Sequence, residues 1–530
     1  MIKKLLSQPA KLFFILLFLA IIIAIVGGCL TSLSFPKWNI VSAKIRKFNS
    51  EEDFKRFLSQ KAEEETIVRS AFPTIESKLM PELKLGSEEA GLGGTEPERY
   101  SQTNVQVVGI DEPDIVKTDG ENIYLSSRFY FKPRPLLEPG IPMEIELPKS
   151  KIIPPFYSKG LTKIIKAFPP EELNLLSEIN EGGDLFLSNH TLILLQDKEI
   201  KAFDVKDPSN PTQQWNFQFE DKTRYLGARL YNNKLYLILS KYASPDIRCP
   251  IEIMKKEGKL IEVKCADIYY PYINFKPQNL FVILQINPST GEIEKKTSFL
   301  GSYGPVIYMS PKALYLTYPS YIDTYQVITK FILQKASDLF DSWVIEKIQK
   351  LNSYDLSTQA KMVELTTVLS QFQSSLTEKE LDNFEKEIEK RFKQYLEEHK
   401  RELTKTAIVK IQAETLNIEA FGEVPGFILN QFSLDEYQGN LRIATTIGRF
   451  FLPYFGISVL WERPESVNDL YVLDSNLKII GSLTNFGKGE RIYGVRFIED
   501  KGYIVTFREI DPFFVIDLRN PQNPQLKGEL

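Results

Sequence analysis

The feature that most constrains the fold of this chain is a hairpin-like pattern that recurs along most of its length. A short apolar stretch meets a turn such as Asp-Gly, Asn-Asn or Gln-Gly, and a second apolar stretch follows. These turn residues adopt the backbone conformations that tight β-hairpins need. The pattern occurs in IVKTDGENIYLSS, LFLSNHTLILLQ, RLYNNKLYLILS, VIYMSPKALYLTY, DEYQGNLRIATT and FIEDKGYIVTF.

Most of these hairpins are followed by a third strand that ends in a polar turn, and then by a fourth strand. The third strands are IKAFDVKDPSNP, LFVILQINPSTG, LYVLDSN and FFVIDLRNPQNP. Equivalent positions such as Ile193 and Tyr236 are about 43 residues apart, which is the repeat length of a four-stranded propeller blade. We therefore predict an all-β fold, a β-propeller of about six four-stranded blades.

One region interrupts the strand pattern. No glycine or proline occurs between Ser320 and Phe421, and TEKELDNFEKEIEKRFKQYLEEHKREL begins with the capping box Thr377 and Glu380. Its apolar residues recur every three or four positions, as in an amphipathic helix. We predict an α-helical hairpin at 332–408, inserted into the fourth blade between two propeller parts at 100–331 and 409–530. The insertion would serve either as a lid packed on the propeller or as a coiled coil that docks a partner.

The N-terminus predicts export and membrane attachment. Basic residues precede LFFILLFLAIIIAIVGGC, and no charge occurs from Leu12 to Pro36. Residues 1–30 would be a signal peptide with Cys29 carrying a lipid, an uncleaved transmembrane helix, or a signal for full secretion. Each alternative places the rest of the chain outside the cytoplasm, and the first two give a membrane-anchored protein at the cell surface. Residues 31–99 would form a helix capped by Ser50 and a flexible tether, LGSEEAGLGGTEPER.

Two cysteines agree with an oxidising compartment. Cys249 and Cys265 lie near the ends of IRCPIEIMKKEGKLIEVKC, which has the pattern of a hairpin. We predict that they form a disulfide, and the alternative is a pair of buried free thiols. No CxxC motif occurs, so a zinc ribbon or a thioredoxin-type site is not expected.

Long blocks of the sequence resemble a known family. The blocks are YSQTNVQVVGIDEPDIVKTDG, FDVKDPSNP, GEVPGFILNQFSLDEYQGNLRIATT and GERIYGVRFIEDKGYIVTFREIDPFFVIDLRNPQNPQLKGEL. They resemble the secreted β-propeller domain proteins of archaea and bacteria, which are distantly related to WD40 repeats. The resemblance implies an extracytoplasmic propeller without an assigned activity or ligand. In the family the sequence continues beyond the last block, so this chain would lack the C-terminal part, and its ring would either close with about six blades or remain open.

Acidic residues crowd the stretch that precedes the first hairpin. Asp111, Glu112 and Asp114 would form turns and caps where the tether enters the ring, or alternatively a calcium site. Their spacing does not match an EF-hand loop, and no other cofactor is expected.

Charged residues also fall at or beside the first strands of blades, which line the channel of a propeller. They would bind an anionic or sugar ligand, or form salt bridges between blades. The residues are Arg229, Asp435, Glu436, Arg442, Glu490 and Arg496.

The sequence contains no nucleophile, phosphate-loop or zinc-protease motif, and only two histidines. Its net charge of −4 does not favour nucleic acid as a partner. We expect a non-catalytic, membrane-tethered propeller that binds a cell-envelope protein or glycan. The alternative is an envelope glycan hydrolase or lyase with acids at the channel mouth.

Overall fold

The strands of the protein form six sheets, four of them with four strands and two with six. The structure is a computed structural model. It describes residues 45–59, 105–127, 160–271, 277–321, 323–448, 465–507 and 512–530. Each sheet contains four strands that pair in antiparallel order along the chain, and we name these units blades 1 to 6. The predicted mostly-β architecture of repeated four-stranded sheets is therefore confirmed.

The blades follow one another in the sequence. Blade 1 contains β2 Val116–Thr118, β3 Asn122–Ser127, β4 Leu161–Lys166 and β5 Asn174–Ile179. Blade 2 contains β6 Asp184–Ser188, β7 Thr191–Leu195, β8 Glu199–Asp204 and β9 Thr212–Phe219. Blade 3 contains β10 Thr223–Tyr231, β11 Lys234–Tyr242, β15 Asn279–Ile286 and β16 Ile293–Gly301. Blade 4 contains β17 Val306–Met309, β18 Ala313–Tyr321, β19 Thr404–Gln412 and β20 Ile418–Pro425. Blade 5 contains β21 Leu434–Tyr437, β22 Asn440–Ile447, β23 Val467–Leu473 and β24 Ile479–Phe486. Blade 6 contains β25 Arg491–Ile498, β26 Lys501–Phe507, β27 Phe513–Asp517 and β28 Gln525–Glu529.

The turns between first and second strands explain the recurring sequence pattern. In blade 3, Asn232 and Asn233 have φ of 48° and 55°, as both central residues of a type I′ hairpin turn require. In blade 1, Gly120 has φ of 91°, a conformation that is open to glycine at little steric cost. The quoted sequence motifs are thus the β-hairpins that begin each blade.

Two sheets are widened by extra strands at their outer edges. A hairpin of β12 Ile251–Lys256 and β13 Lys259–Val263 leaves blade 3 and pairs with the outer strand of blade 2. Strand β14 Tyr269–Pro271 then joins the outer strand of blade 3, and β1 Ile45–Lys47 pairs with β14. Cys249 and Cys265 form a disulfide at the base of the β12–β13 hairpin.

The segment before the propeller packs on the edge of blade 3. Residues 51–59 form helix α1, and the Ser50 hydroxyl accepts a hydrogen bond from the amide of Asp53 at 3.1 Å. Phe48, Phe54 and Leu58 are buried in the cluster that joins blades 2 and 3. The helix predicted after Ser50 is therefore present, and it packs on the propeller. The glycine-rich stretch, Cys29 and residues 1–30 lie outside the described residues, and no described helix is long and apolar enough to cross a bilayer.

A helical insertion separates the second and third strands of blade 4. It contains four α-helices, whereas the sequence predicted two. Its first helix begins before the predicted start at residue 332, and its last helix ends before the predicted end at residue 408. The helices are α2 Thr324–Lys335, α3 Ser342–Ser353, α4 Thr358–Ser375 and α5 Glu378–Leu403. The insertion buries its own hydrophobic cluster, and its last helix begins with the capping box of Thr377 and Glu380. Short 3₁₀ turns occur at Pro170–Glu172, Cys265–Asp267, Ser337–Leu339 and Gln431–Ser433.

Adjacent blades share hydrophobic clusters. Among the described residues, one cluster joins blade 1 to blade 2, and further clusters join each following blade to the next, up to blade 6. Because an interior blade packs against a neighbour on each side, its central strands are apolar on both faces. This accounts for the nearly continuous apolar runs of these strands in the sequence.

Candidate functional site

The stretch 105–114, which we name the lead-in segment, contacts the first strands of two blades. Asp111 exchanges backbone hydrogen bonds of 2.9 and 3.0 Å with Leu230 of β10. Asp114 does the same with Leu185 of β6, at 3.2 and 2.7 Å. The predicted acidic stretch is thus paired with blades 2 and 3 before the chain enters blade 1.

A buried polar cluster holds the lead-in segment to blade 3 and to the turn before blade 5. Arg229 is buried and donates to the Oε1 atom of Gln431 at 2.7 Å, while its Nε lies 3.7 Å from a Glu112 oxygen. Gln431 donates to the other Glu112 oxygen at 3.0 Å and accepts from the Gln106 amide at its carbonyl. Arg229 is therefore satisfied by internal partners, as a buried charge requires.

The remaining acids of this stretch have partners of the same chain. The ammonium group of Lys117 lies 2.7 Å from Asp111 Oδ1 and donates to the carbonyl of Glu112. Burial raises the pKa of Asp111, although the hydrogen bond and charge of Lys117 oppose that rise. Asp114 accepts from the amide of Ile115. The described residues contain no group of three or more His, Cys, Asp or Glu that could hold a metal ion, so the calcium hypothesis gains no support.

Glu436 connects blades 4 and 5. Its Oε2 atom accepts hydrogen bonds from the hydroxyls of Ser310 at 2.5 Å and Tyr315 at 2.9 Å, and its amide donates to Tyr308. Burial is the largest cause that raises the pKa of both tyrosines, and the nearby carboxylates raise it further. The carboxylate of Glu436 is thus held by protonated hydroxyls between two blades.

Arg442 connects blades 5 and 6. Its Nε donates to Asp435 Oδ2 at 2.8 Å, and a terminal nitrogen donates to the carbonyl of Glu499. The guanidinium lies 4.7 Å from the ring centroid of Tyr437 and 5.0 Å from that of Phe497, within the range of cation–π contacts. Arginine thus replaces the usual aromatic residue at this repeat position and still packs between rings.

Glu490 and Arg496 belong to blade 6 and its approach. Glu490 accepts from the hydroxyl of Thr506 at 2.5 Å, within the same blade. Arg496 is exposed on β25 and has no ion pair among the residues that the structure describes. The six predicted channel residues therefore separate into local groups and do not meet in one site.

A polar cleft lies between the turns of blades 5 and 6, and we name it the blade 5–6 cleft. Its volume is about 310 Å³. An aromatic ring, amide side chains and charges of both signs line it, a composition suited to a small polar ligand. The lining includes Tyr437, Gln438, Asn440, Arg442, Asp500 and Arg519. Among the predicted residues only Arg442 contributes to this lining.

A buried ion pair ties the helical insertion to blade 5, and the sequence-based predictions do not include it. Arg401 of α5 contacts Asp469 of β23 at 2.7 and 3.0 Å, and the Asp469 side chain is fully buried. Asp469 also accepts from the Tyr471 hydroxyl at 2.6 Å and from the amide of Asn485. The signal that could have revealed this site is the acid inside the apolar strand VNDLYVL.

Comparison with known proteins assigns the family. The chain belongs to the beta propeller domain family, whose model matches residues 100–530. It is 38% identical to an uncharacterized protein of Archaeoglobus fulgidus over 523 residues, which are 97% of this chain and 77% of the relative. It is 34% identical to an uncharacterized protein of Methanocaldococcus jannaschii over 97% of this chain and 75% of that one.

Solved structures are only distantly similar. An apocarotenoid oxygenase of Synechocystis matches with 8% identity and a TM-score of 0.27, over 71% of this chain and 73% of the oxygenase. A likeness at this level supports no conclusion about the chemistry of this protein.

Proposed function

We propose that this protein is a non-catalytic binding or scaffold module of the cell envelope. In this proposal the propeller is displayed outside the cytoplasm and tethered to the membrane by its N-terminal segment. Two features support this location outside the cytoplasm. One is the uncharged apolar run from Leu12 to Pro36, and the other is the Cys249–Cys265 disulfide, since disulfides persist in oxidising compartments.

The observation that carries the binding role is the blade 5–6 cleft. Glu436 and Arg229 are engaged by buried internal partners, so a substrate would have to displace these bonds to reach them. In the cleft, amide and charged side chains border an open volume beside the ring of Tyr437, and the arginines of its lining, Arg442 and Arg519, are held in place by Asp435 and Asp517. Sugars bind proteins through this combination of polar groups and an aromatic face. We therefore propose a glycan of the envelope as the ligand.

Binding of envelope glycans to the purified full-length chain tests the proposal. We expect isothermal titration calorimetry in mild detergent to detect binding of soluble envelope oligosaccharides. The Asp500→Ala substitution should weaken that binding about tenfold, which corresponds to about 1.4 kcal/mol. Asp221→Ala, which removes an exposed acid from the turn before blade 3, is the matched control and should bind as wild type does.

Two results would contradict the proposal. One is the absence of binding to any oligosaccharide tested, and the other is equal binding by the Asp500→Ala variant. Release of shortened sugars during the titration would instead support the hydrolase or lyase alternative. Mass spectrometry of the recovered oligosaccharides makes that distinction.

The membrane tether is tested separately. If Cys29 carries a lipid, Cys29→Ser should abolish incorporation of radiolabelled lipid into the expressed chain while the disulfide still forms. Equal labelling of wild type and variant would contradict the lipoprotein form. Recovery of the unlabelled wild type in the membrane fraction would favour the uncleaved anchor.

A further inference from the structure

Interior blades of this protein are buried on both faces. Every residue of β23 in blade 5 and of β7 in blade 2 is buried. This is the result of a neighbour on each side, because side chains of a strand alternate between the two faces of its sheet. A blade with one bare face should therefore show burial at alternate positions only.

Blade 1 shows that alternating burial. Tyr124 and Ile164, which pair across β3 and β4, are 1% and 0% exposed against blade 2. On the opposite face, the paired residues Val116 and Leu125 are each 39% exposed. Leu175 of β5 is also exposed. The face of blade 1 that points away from blade 2 thus carries apolar side chains beside the Lys163–Glu178 ion pair, and no described residues cover it.

Blade 6 has the same pattern on its outward face. Ile504 and Phe514 pair across β26 and β27 and are buried against blade 5. The alternate positions Tyr503, Val505 and Phe513 are only half-buried. The rings of Tyr503 and Phe513 stack on each other, with centroids 5.9 Å apart.

Aromatic residues extend this outward face beyond the stacked pair. Tyr493 and Phe507 are exposed, with centroids 6.0 Å apart, and Arg496 pairs directly with Tyr503 across the strands. A surface of clustered aromatic and aliphatic side chains marks an interaction site rather than an ordinary exterior.

We propose that the bare faces of blades 1 and 6 bind further propeller-type β-sheet. The occupant we infer is a polypeptide segment equivalent to the part of the archaeal relatives that this chain does not match. The relatives extend beyond the match by about a quarter of their length, which is enough for at least one blade of about 40–45 residues. The inference does not depend on the proposed glycan binding.

The chemistry of the two faces defines what the added sheet must present. Its side chains toward blade 6 should be apolar, so that they pack on Tyr503 and Phe513 as Phe486 of blade 5 packs on Phe514. An acidic residue should lie opposite Arg496, because burial of an unpaired guanidinium is costly. Toward blade 1 the added sheet should present aliphatic residues to Val116 and Leu125, and polar residues beside the Lys163–Glu178 ion pair. These requirements match the mode of packing between the six observed blades.

Co-expression tests this inference on the full-length chain. The tagged chain is produced together with the unmatched segment of the Archaeoglobus fulgidus relative as a separate polypeptide. We expect a 1:1 complex by size-exclusion chromatography with light scattering. We also expect slower hydrogen exchange in β3, β4, β26 and β27 than in the chain alone. Tyr503→Lys on blade 6 and Leu125→Lys on blade 1 should each reduce the recovered complex at least about tenfold.

Controls separate loss of binding from loss of folding. Tyr354→Lys changes a similarly exposed aromatic residue in the helical insertion and should leave the complex intact. Circular dichroism must show that all three variants fold. The inference is overturned if no complex forms, or if the faces exchange slowly without the added segment. It is also overturned if the chain alone forms dimers that the same substitutions disrupt, since the occupant would then be a second copy.

Discussion

At the scale of single residues, the ion pair of Arg401 and Asp469 is a contact between the insertion and blade 5 that should be sensitive to substitution, because the Asp469 side chain is fully buried. Arg401→Leu would leave the fully buried carboxylate of Asp469 without its cation. Removing one partner of a buried pair costs about 3–5 kcal/mol. We expect the free energy of unfolding, measured by urea denaturation, to fall by about that amount.

Two further variants test the cause of this loss. Asp469→Asn in the Arg401→Leu background should recover part of it, because the buried charge is then removed. Arg391→Leu, on the exposed side of the same helix, also breaks contacts with two carboxylates, Asp338 and Glu387. It should cost much less, since exposed pairs contribute little to stability. Equal losses for Arg391→Leu and Arg401→Leu would contradict this account.

Asp119 gives the first hairpin a dependence on pH. Burial alone would raise its pKa, but hydrogen bonds from the amides of Asn122 and Glu121 and from Tyr124 hold the pKa below the usual value. Because the folded-state pKa is lower than the unfolded one, the stabilisation is present above about pH 4 and is lost as the pH falls through the folded-state pKa.

Unfolding measurements at several pH values test whether the stabilisation by Asp119 is lost as the pH falls. The stability advantage of wild type over Asp119→Asn should decrease as the pH is lowered from about 5 to about 3. Asp221→Asn serves as the control for loss of one negative charge. An advantage that stays constant over this interval would show that Asp119 does not supply the pH dependence.

At the scale of elements, the disulfide holds the β12–β13 hairpin against blade 2. The hairpin places Ile253 and Met254 in the cluster between blades 2 and 3, and the cysteines at its base are 16 residues apart. Closing a loop of that size contributes about 3 kcal/mol. Replacing Cys249 by Ser and Cys265 by Ala should lower the free energy of unfolding by that amount and speed hydrogen exchange in β12. Reduction of wild type should reproduce both effects, and an unchanged midpoint after reduction would contradict them.

The elements that sequence predicted well are those that local chemistry determines. Hairpin turns at Asp119-Gly120 and Asn232-Asn233 need particular backbone angles, and the capping box at Thr377 needs only neighbours within one helical turn. Pairing between elements that are distant in sequence cannot be predicted from local chemistry. The β12–β13 hairpin has an ordinary strand pattern, and nothing in that pattern shows that it adds to blade 2 rather than to blade 3.

The candidate site was less predictable than the fold for the same reason. The sequence pattern predicts charges at first strands, but the partners of these charges lie far away in sequence. Arg229 reaches Gln431, and Glu436 reaches Tyr315. A single sequence places such residues on a strand but does not say which hydroxyl or amide will satisfy them. The blade 5–6 cleft is formed by turns of two different blades, so only Arg442 among its lining residues was singled out.

At the scale of the whole molecule, the order of packing predicts the order of unfolding. Hydrophobic clusters of the described residues join each blade to the next, so interior blades have two packed faces while blades 1 and 6 have one. In arrays of this kind, stability is approximately the sum of repeat and nearest-neighbour contributions. We therefore expect the end blades to open at lower free energy than the interior ones.

Native-state hydrogen exchange at low denaturant measures these opening free energies directly. The comparison should use the second and third strands of each blade, because both lie between other strands and differ mainly in face packing. Amides of β3, β4, β26 and β27 should exchange through smaller openings than those of β11, β15, β18 and β19. Uniform protection across the six blades would mean that the molecule unfolds as one unit despite its bare end faces. Greater protection at the ends would mean that those faces are covered, and the assignment of a single packed face to blades 1 and 6 would then be wrong.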